Sequence, residues 1–593
     1  MATSMAAGAA TTWTVTTNQD DAPPGVECNT STHQCYTLRD AIFSAQDGDT
    51  IQFNLSGYAL PATITLQNAE PLEIDTGLTI HGPGFDKLSV SGAGASRVFF
   101  MPNGAANAPE VAIDHLTITA GWSVGATGAP GADATTPGAN GGGGGKGGTG
   151  TGGCIYLGTN NTLHLAFDLV TNCLALGGPG GHGGAGAAGT GGADGANNRT
   201  GAPGEPGAAG GTGGVGGTGG DAHGGAITAG GTLFLDSTTI SNSFVDGGPG
   251  GDGGSGGSGG RGGTGGNSPC ALVDGVCLPV GSGGTGGDGG QGGDGGAGGS
   301  MGWAAGGAIY GGGVVTLVNS TLAGNHAITG LSFFGPGATG GDGGEHGAGG
   351  DAGAGGNGNI QGPTGTAGAS GAGGVGGGGG VAEGGALFNW NQGDTYSLLV
   401  HTSIGYNDAT TGSGGQGADG SAAGADGFSG GGGIENHNNA KLTLSNSIVA
   451  ANQIAWAHTA ARLNNCNVQG DSDFEFIDDN LSDDTSCGTP DTQGDPMFAP
   501  PRGSYAAYAW GGNGLPVLMP LPGSPAINGA KGRGFEPSGD GCAAVANDER
   551  GVTRPRGKWV YNDSGIGVYH PAACALGAVE SGILFRDGFD GSQ

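Results

Sequence analysis

Apolar and polar residues alternate in short stretches that recur along the middle of the chain. Leu163, Leu165 and Phe167 stand at every second position, and so do Leu442 and Leu444. Alternation with a period of two is typical of a strand with one buried face, and helical spacing is absent from these stretches. The pattern therefore predicts β-strands.

The alternating stretches belong to a unit that occurs five times. Each unit begins with two glycines and an aliphatic residue, and each ends with an asparagine. The openings are Gly152-Gly153-Cys154-Ile155, Gly224-Gly225-Ala226-Ile227, Gly306-Gly307-Ala308-Ile309, Gly384-Gly385-Ala386-Leu387 and Gly431-Gly432-Gly433-Ile434; the asparagines are Asn172, Asn242, Asn325, Asn407 and Asn452. One such unit cannot bury its apolar side alone, so we expect stacked rungs of a right-handed parallel β-helix, with the asparagines as turn residues at one corner.

Two motifs carry a resemblance to known families. The unit openings resemble the Gly-Gly-Ala-Ile repeats of the chlamydial polymorphic outer-membrane proteins, although an aliphatic residue replaces the phenylalanine of that family's Phe-x-x-Asn repeat. The segment Cys35-Tyr36-Thr37-Leu38-Arg39-Asp40-Ala41-Ile42, followed by residues 48–53, resembles the CSLREA-type entry motif of exported bacterial β-helices. From the residues themselves we expect a short helix that feeds a strand and caps the first rung.

The C-terminal region resembles the bacterial choice-of-anchor Q domain. The matching segments are 521–528, 547–551 and 574–580, and Ala575 stands where that family usually carries aspartate. The resemblance implies a secreted or surface-attached protein, and we expect this region to cap the last rung. The predicted domains are an N-terminal cap with the first rungs at 1–120, rungs with inserts at 121–455, and a loop-rich cap at 456–593.

Most of the 148 glycines lie in five inserts between the strands. The inserts are 121–151, 177–223, 247–305, 330–383 and 412–430. Their Gly-Gly-x period matches the three residues per turn of a polyproline-II-type helix, whose backbone groups are free to bond to neighbours. We expect a bundle of polyglycine-II helices beside the β-helix, similar to the glycine-rich tips of phage tail-fibre adhesins and to glycine-rich antifreeze proteins. Flexible linkers are the alternative.

The net charge and the cysteines indicate which binding partners and which cellular compartment to expect. The chain has 16 basic and 49 acidic residues, a formal charge of −33, so nucleic acid and anionic membranes are not expected partners. No apolar run approaches the length of a membrane span. The absence of a CxxC pair disfavours zinc and favours disulfides in an oxidising compartment. The cysteines form the couples Cys28 with Cys35, Cys154 with Cys173, Cys270 with Cys277, Cys466 with Cys487, and Cys542 with Cys574.

The N-terminus lacks the basic and aliphatic regions of a signal peptide. Because the cysteines favour export, we expect a secreted or bacterial cell-surface protein that is shown here without its signal peptide.

Catalytic residues are difficult to place on the predicted rungs. A lyase of the pectate type needs basic residues, and between positions 98 and 440 the chain offers only Lys146, Arg199 and Arg261, all in inserts. A hydrolase needs paired carboxylates, and the rung carboxylates fall at differing phases of the repeat. These carboxylates are Asp168, Asp236, Asp394, Asp408 and Glu435. No catalytic residue is assigned, and neither a cofactor nor a metal ion is expected.

Aromatic residues beside the rungs are candidates for carbohydrate binding, with core packing as the alternative. These residues are Trp303, Trp390, Tyr396 and Tyr406. The sequence favours a non-catalytic adhesin or structural protein that binds a polysaccharide, a cell-surface ligand or itself. The alternatives are a carbohydrate-active enzyme, a hydrolase rather than a lyase, and an ice-binding protein, which would need a flat face of threonine and alanine on the glycine bundle.

Overall fold

The structure is a computed structural model that describes most of residues 10–498 and short parts of the remaining C-terminal region. The gaps before residue 499 are 105–107, 274–275, 279–280, 331–336, 356–360, 392, 394–395, 438, 478, 489 and 491. The described C-terminal residues are 509–510, 516–518, 520, 524–526, 547–549, 558–561, 567–570, 576 and 578.

Long sheets of short strands run along the described chain, and successive rungs add one strand at a time to a sheet. Sheet 1 has 11 strands, in the order Gln34–Cys35, Thr12–Val15, Asp49–Phe53, Leu78–His81, Glu110–Asp114, Thr162–Ala166, Thr232–Asp236, Val315–Val318, Ser397–Val400, Lys441–Ser445 and Asp473–Ile477. Sheet 2 has 10 strands, in the order Ala62–Thr65, Leu88–Ser91, Thr117–Thr119, Leu169–Thr171, Thr239–Ser241, Thr321–Ala323, Ser403–Gly405, Ile448–Ala450, Leu481–Ser482 and Thr492–Gln493.

Three further sheets complete the rung. Sheet 3 contains Trp122–Val124, Leu174–Leu176, Phe244–Gly247, His326–Thr329, Asp408–Thr411, Gln453–Ala455 and Arg462–Leu463. Sheet 4 contains Gly150–Thr151, Ala222–His223, Trp303–Ala305, Val381–Glu383 and Phe428–Gly430. Sheet 5 contains Leu72–Glu73, Phe99–Met101, Ile155–Leu157, Ile227–Ala229, Ile309–Gly311, Leu387–Asn389, Ile434–Asn436 and Cys466–Val468. The remaining strands form hairpins: Ala271–Val273 with Val276–Leu278, Ala509–Trp510 with Pro516–Val517, and Lys558–Tyr561 with Gly567–His570.

The rungs stack in parallel register, which confirms the predicted parallel β-helix. Leu163 pairs with Val111 on one side and with Leu233 on the other, and Leu233 pairs with Val315. All four side chains are fully buried, so each column of apolar residues continues from rung to rung. The main core lies between sheets 1, 2 and 5.

The N-terminal segment forms the expected helix and strand. The helix Leu38–Ser44 begins after Thr37, whose hydroxyl accepts a hydrogen bond from the Asp40 backbone N–H. Leu38 is buried on the main core, and the first long strand, Asp49–Phe53, follows. The helix therefore covers apolar side chains at the first rungs.

Sheets 3 and 4 form a narrow neck on the side of the β-helix. Their facing side chains are small and belong to a cluster separate from the main core. Its buried members are Ala175, Ala222, Val245, Ala304, Ala327, Ala382, Ala409 and Ile454. Each glycine-rich insert leaves the rung after a strand of sheet 3 and returns at the next strand of sheet 4. The neck thus aligns the inserts.

The described parts of the inserts form the predicted bundle of polyglycine-II helices. Each insert has an outgoing limb and a returning limb. The outgoing limbs are 125–134, 177–197, 248–267, 337–355 and 412–418, and the returning limbs are 140–149, 201–221, 282–302, 361–380 and 422–427. Outgoing limbs pair side by side in one layer and returning limbs in a second layer, with hydrogen bonds between the layers.

One triplet of the second returning limb illustrates the bonding. The Gly213 N–H donates to Asp294 O in the same layer, and the Gly214 N–H donates to Gly184 O in the outgoing layer, both at 2.8 Å. Val215, the third residue, is 56% exposed. The two glycines are therefore interior positions, and the third residue of each triplet faces outwards.

Three of the five predicted disulfides lie wholly within the described residues, and all three are formed. Cys28 bonds to Cys35, Cys154 to Cys173, and Cys466 to Cys487. Cys270 is also disulfide-bonded. The side chain of Cys277 and both Cys542 and Cys574 lie outside the described residues.

The described part of the C-terminal region after residue 509 lies along the outer side of sheet 2. The Glu549 carboxylate accepts hydrogen bonds from the hydroxyls of Thr239 at 2.7 Å and Thr321 at 2.6 Å. The Ala578 N–H donates to Ser403 Oγ at 2.9 Å. These contacts reach three successive rungs from the side. The cap on the last rung stays a prediction. Most of 521–528, 550–557 and 574–593 lies outside the described residues.

Candidate functional site

The predicted asparagine corner separates into two neighbouring positions. Asn172 and Asn242 take the first position, where φ is +55° and +50°. Asn325, Asn407 and Asn452 take the second position and are buried. Each of these three donates from Nδ2 to the Oδ1 of the next asparagine, at 3.0, 2.9 and 3.0 Å, and the series ends at Asn465. We name Asn325, Asn407, Asn452 and Asn465 the asparagine ladder; its contacts are structural.

The outer faces of the glycine bundle differ in chemistry. The outgoing face carries most of the charge, including His182 with Asp252 and Arg261 with Asp351, pairs at 3.4 and 2.6 Å. The returning face consists of the outward residues of the returning limbs. It contains Thr212, Val215, Thr218, Thr285, Ala297, Ser300, Thr366, Ala369, Ala372, Val375, Ala422 and Ala425, together with Lys146, Asp221, Asp288, Gln291 and Asp294.

Short side chains make a continuous row across the returning face. Backbone bonds of adjacent limbs align Gly143, Val215, Ala297, Val375 and Ala422 in successive limbs. Val215 is 56% exposed and Val375 is 47% exposed. Because the limbs continue from strands, neighbouring columns are about 5 Å apart, and outward residues of one limb are about 9 Å apart. The returning face is therefore a regular grid.

Aspartates in the inserts bond to the backbone of the neighbouring limb. The Asp288 carboxylate accepts from the Thr366 N–H at 2.8 Å, and the Asp294 carboxylate accepts from the Ala372 N–H at 2.8 Å. The pKa of Asp288 is lowered by the backbone and hydroxyl hydrogen bonds of Thr366. These carboxylates hold the outward residues of adjacent limbs in register.

Trp303 and Trp390 come together at the root of the bundle, beside the returning face. Their ring centroids are 5.7 Å apart, and both pack against Phe388, which is fully buried. His437 stacks on Trp390 at 4.7 Å, and Tyr310 stacks on Phe388 at 5.3 Å. The strand register brings the rings of Tyr310 and Phe388 together, because these residues are paired on adjacent strands of sheet 5.

Two carboxylates lie within this aromatic cluster. Glu383 ends a strand of sheet 4, and Glu435 lies on the sheet 5 strand of the next rung, paired with Phe388. They are 4% and 0% exposed. Ligand atoms of Glu383, Glu435 and His437 all lie within 4.8 Å of one another. We name these three residues the Glu-Glu-His cluster.

Hydrogen-bond donors orient both carboxylates of the Glu-Glu-His cluster. Trp303 Nε1 donates to Glu383 Oε2 at 3.1 Å, and Gln469 Nε2 donates to Glu383 Oε1 at 2.9 Å. Asn467 Nδ2 donates to Glu435 Oε1 at 3.1 Å.

Burial raises the pKa of both carboxylates. The pKa of Glu435 rises to about 7, first through loss of hydration and then through the charge of Glu383. Burial likewise raises the pKa of Glu383, and the neighbouring Glu435 carboxylate raises the pKa of His437. Ionisation of these carboxylates is therefore less favourable in the folded chain than in water.

Sequence reasoning found only part of this site. It named Trp303 and Trp390, and it named Glu435 without a partner; it missed Glu383 and His437. Glu383 directly precedes Gly384-Gly385 and Glu435 directly follows Gly433-Ile434, so their position beside the repeat opening was the available signal.

Tyr396 and Tyr406 lie elsewhere. The Tyr396 hydroxyl donates to Asp473 Oδ2 at 2.7 Å, and Lys441 Nζ lies 5.4 Å from its ring centroid. Tyr406 occupies a corner with φ of +58° and packs against Phe498 at 6.0 Å. The two tyrosines do not join the tryptophans in one binding platform.

Comparison with known proteins gives no family. No family model matches the chain, and no curated protein matches it. Among solved structures, pectate lyase Pel9A is similar at 12% identity and a TM-score of 0.33, over 96% of each chain. A nine-helix polyproline-II antifreeze protein of the springtail Granisotoma rainieri is similar at 24% identity and a TM-score of 0.07, over 41% of this chain and 94% of that chain. Both TM-scores are below 0.5, so neither likeness assigns a function.

The described part of the chain contains no helix that could span a membrane. Its helices lack the length and apolar character needed to cross a bilayer.

Proposed function

We propose that the chain is an exported, non-catalytic adhesin or structural protein that binds a polysaccharide or another cell-surface ligand through the returning face of the glycine bundle. The observation that carries the proposal is the regular grid of short side chains on this face. The limbs are fixed before binding by backbone hydrogen bonds, so the ligand orders little of the protein when it binds.

The chemistry of the returning face suits an extended neutral ligand. The row around Val215, Ala297 and Val375 offers apolar contact, and Thr212 and Thr218 on the same limb as Val215 offer hydroxyl groups. Sugars combine apolar faces with hydroxyls. The higher charge of the outgoing face makes it the poorer surface for such a ligand.

Two observations favour binding without catalysis. Glu383 and Glu435, paired carboxylates of a kind that hydrolases use, are 4% and 0% exposed, so a sugar cannot reach them in this arrangement. The insert bases Lys146 and Arg261 are paired with Asp221 and Asp351 on the bundle surface, away from the rungs.

Export is supported by the disulfides. Cys28–Cys35, Cys154–Cys173 and Cys466–Cys487 are formed, and stable disulfides are typical of oxidising compartments.

Two matched double variants test the binding face. Val215→Lys with Val375→Lys places two cations in the central row of the returning face. Ser258→Lys with Ala348→Lys places the same two cations at outward positions of the outgoing face. All four positions face outwards, so the bundle interior is unchanged. Pull-down against bacterial cells and a polysaccharide panel should lose binding at least tenfold in the first variant and keep it in the second.

Further outcomes of the same experiment would contradict the proposal. Equal binding by both double variants would place the ligand elsewhere. New reducing ends in the supernatant would indicate a carbohydrate-active enzyme, and thermal hysteresis without polysaccharide binding would indicate an ice-binding protein. Concentration-dependent assembly that only the returning-face variant abolishes would make this face a self-association surface.

A further inference from the structure

We propose that the Glu-Glu-His cluster is a binding site for one divalent cation of the zinc type. Glu383, Glu435 and His437 would supply two carboxylate oxygens and one imidazole nitrogen. The site would bind the metal at the root of the bundle, where sheets 4 and 5 meet. It is independent of the ligand proposed for the returning face.

The spacing of the ligand atoms fits one ion. Carboxylate oxygens and imidazole nitrogens bind zinc at about 2.0–2.2 Å, so two ligand atoms of one ion are at most about 4.4 Å apart. The ligand atoms of the cluster lie within 4.8 Å of one another, and His437 Nδ1 is 3.9 Å from Glu435 Oε1. Side-chain movements of less than an ångström would close the set around an ion.

A buried oxygen of Glu435 is the second observation that points to a ligand. Glu435 is fully buried, and its Oε2 has no hydrogen-bond partner among the described residues. A buried carboxylate oxygen without a partner is costly, and a cation would satisfy it. Gly430 keeps the space beside this atom open, because a Cβ at position 430 would lie 3.1 Å from Glu435 Oε2.

The surroundings have the second shell that metal ligands usually have. Trp303, Gln469 and Asn467 donate to the carboxylate oxygens and fix their orientation. The rings of Phe388 and Trp390 exclude water on one side. A mixed set of two carboxylates and one imidazole suits zinc and its first-row neighbours better than calcium, which prefers oxygen ligands alone.

A second cluster in the described residues provides the matched control. His81 Nδ1 and His115 Nδ1 lie 2.5 and 2.9 Å from the same Asp114 oxygen, on the outer side of sheet 1. These side chains are 56%, 42% and 23% exposed. Asp114→Asn disables this cluster with the same change of charge as Glu435→Gln.

The test measures zinc in the whole chain after removal of metals with a chelator. Equilibrium dialysis against micromolar zinc, followed by elemental analysis, should find zinc bound by the wild type and by Asp114→Asn. Glu435→Gln should bind one zinc ion fewer per chain than the wild type. Added zinc should raise the unfolding temperature of the wild type and of Asp114→Asn more than that of Glu435→Gln.

Three results would overturn the proposal: no zinc bound by the wild type, the same zinc content in Glu435→Gln as in the wild type, or loss of all zinc in Asp114→Asn. If Glu435→Gln does not fold, His437→Asn replaces it, with the same expected loss of one ion. Cobalt offers a check on the folded wild type, since bound Co²⁺ should quench the fluorescence of the adjacent Trp303 and Trp390. Quenching that Trp303→Phe with Trp390→Phe leaves unchanged would also contradict the site.

Discussion

Interior and surface positions of the glycine bundle differ in whether they can accept a single added methyl group. A Cβ added at Gly214 would overlap the carbonyl oxygen of Gly142, a backbone atom of the adjacent limb. A Cβ added at Gly143 would lie 3.5 Å from Val215 Cγ2, an ordinary contact. Where a limb has neighbours on both sides, as at 213–215, the need for glycine is therefore specific to two positions of the triplet.

Gly214→Ala should destabilise the bundle, and Gly143→Ala should not. The buried methyl forces two limbs apart and breaks the hydrogen bonds on both sides, so the free energy of unfolding should fall by about 1–3 kcal/mol. Thermal unfolding followed by circular dichroism would show the difference. Equal unfolding temperatures for the two variants would mean that the limbs are not packed as described.

Asp246, at the point where the third insert leaves the neck, should make stability depend on pH. Burial raises its pKa from 3.8 to about 7, more than the nearby Gly330 N–H lowers it. Its proton is therefore bound more tightly in the folded chain, so this residue's contribution to stability is present below pH 4 and is lost as the pH rises towards 7. The loss is roughly 4 kcal/mol at most.

Asp246→Asn isolates this effect. The variant should be more stable than the wild type at pH 8 and similar to it at pH 4, as measured by urea unfolding at both values. A wild type that gains stability over the variant between pH 4 and pH 8 would contradict the assignment.

At the scale of elements, the asparagine ladder joins rungs through side chains as the sheets join them through backbone. Asn407 Nδ2 donates to Asn452 Oδ1 and to Leu322 O, while Asn407 Oδ1 accepts from the Asn325 N–H at 2.9 Å. All these groups are buried, so each needs its partner.

Asn407→Ala should cost about 3 kcal/mol, because it leaves buried groups on both neighbours without partners. Asn172→Ala is the control: Asn172 is exposed at the first corner position, and Ala120 and Ala451 take the same positive φ there. Chemical denaturation should separate the two variants. Similar losses in both would mean that the ladder adds nothing beyond corner geometry.

Strands and inserts could be predicted from the sequence because their signals are local. Alternation at Leu163 and Leu165 identified the strand Thr162–Ala166, and the Gly-Gly-x period identified the bundle limbs. The two corner positions of the asparagines could not be told apart from the sequence. They differ in how far the next strand begins after the asparagine, and the spacing of the residues along the chain does not show where a strand begins. Strand Leu174–Leu176 begins two residues after Asn172, whereas strand His326–Thr329 begins directly after Asn325.

The Glu-Glu-His cluster needed information that the sequence lacks. Glu383 and Glu435 are separated by the fifth insert and meet only through the register of successive rungs. The side docking of Glu549 on Thr239 and Thr321 likewise joins residues more than 200 positions apart.

At the scale of the whole molecule, the β-helix sets the spacing of the bundle. Each limb continues from a strand, and strands of adjacent rungs are about 5 Å apart, a distance at which glycine limbs can exchange backbone hydrogen bonds. The small residues of the neck, such as Ala222, Ala304 and Ala382, let sheets 3 and 4 approach closely enough to start both layers. The solenoid therefore acts as the template for the returning face.

Amide hydrogen exchange at residue resolution tests this ordered bundle most directly. In triplets such as 213–215, both glycine N–H groups donate to neighbouring limbs, and no hydrogen bond is found for the N–H of Val215. We expect slow exchange at Gly213 and Gly214 and fast exchange at Val215. The same period of three should run along the described limbs, except where a side chain accepts from the third residue, as Asp288 does from the Thr366 N–H. Fast exchange at every position of the inserts would contradict the bundle and, with it, the binding face.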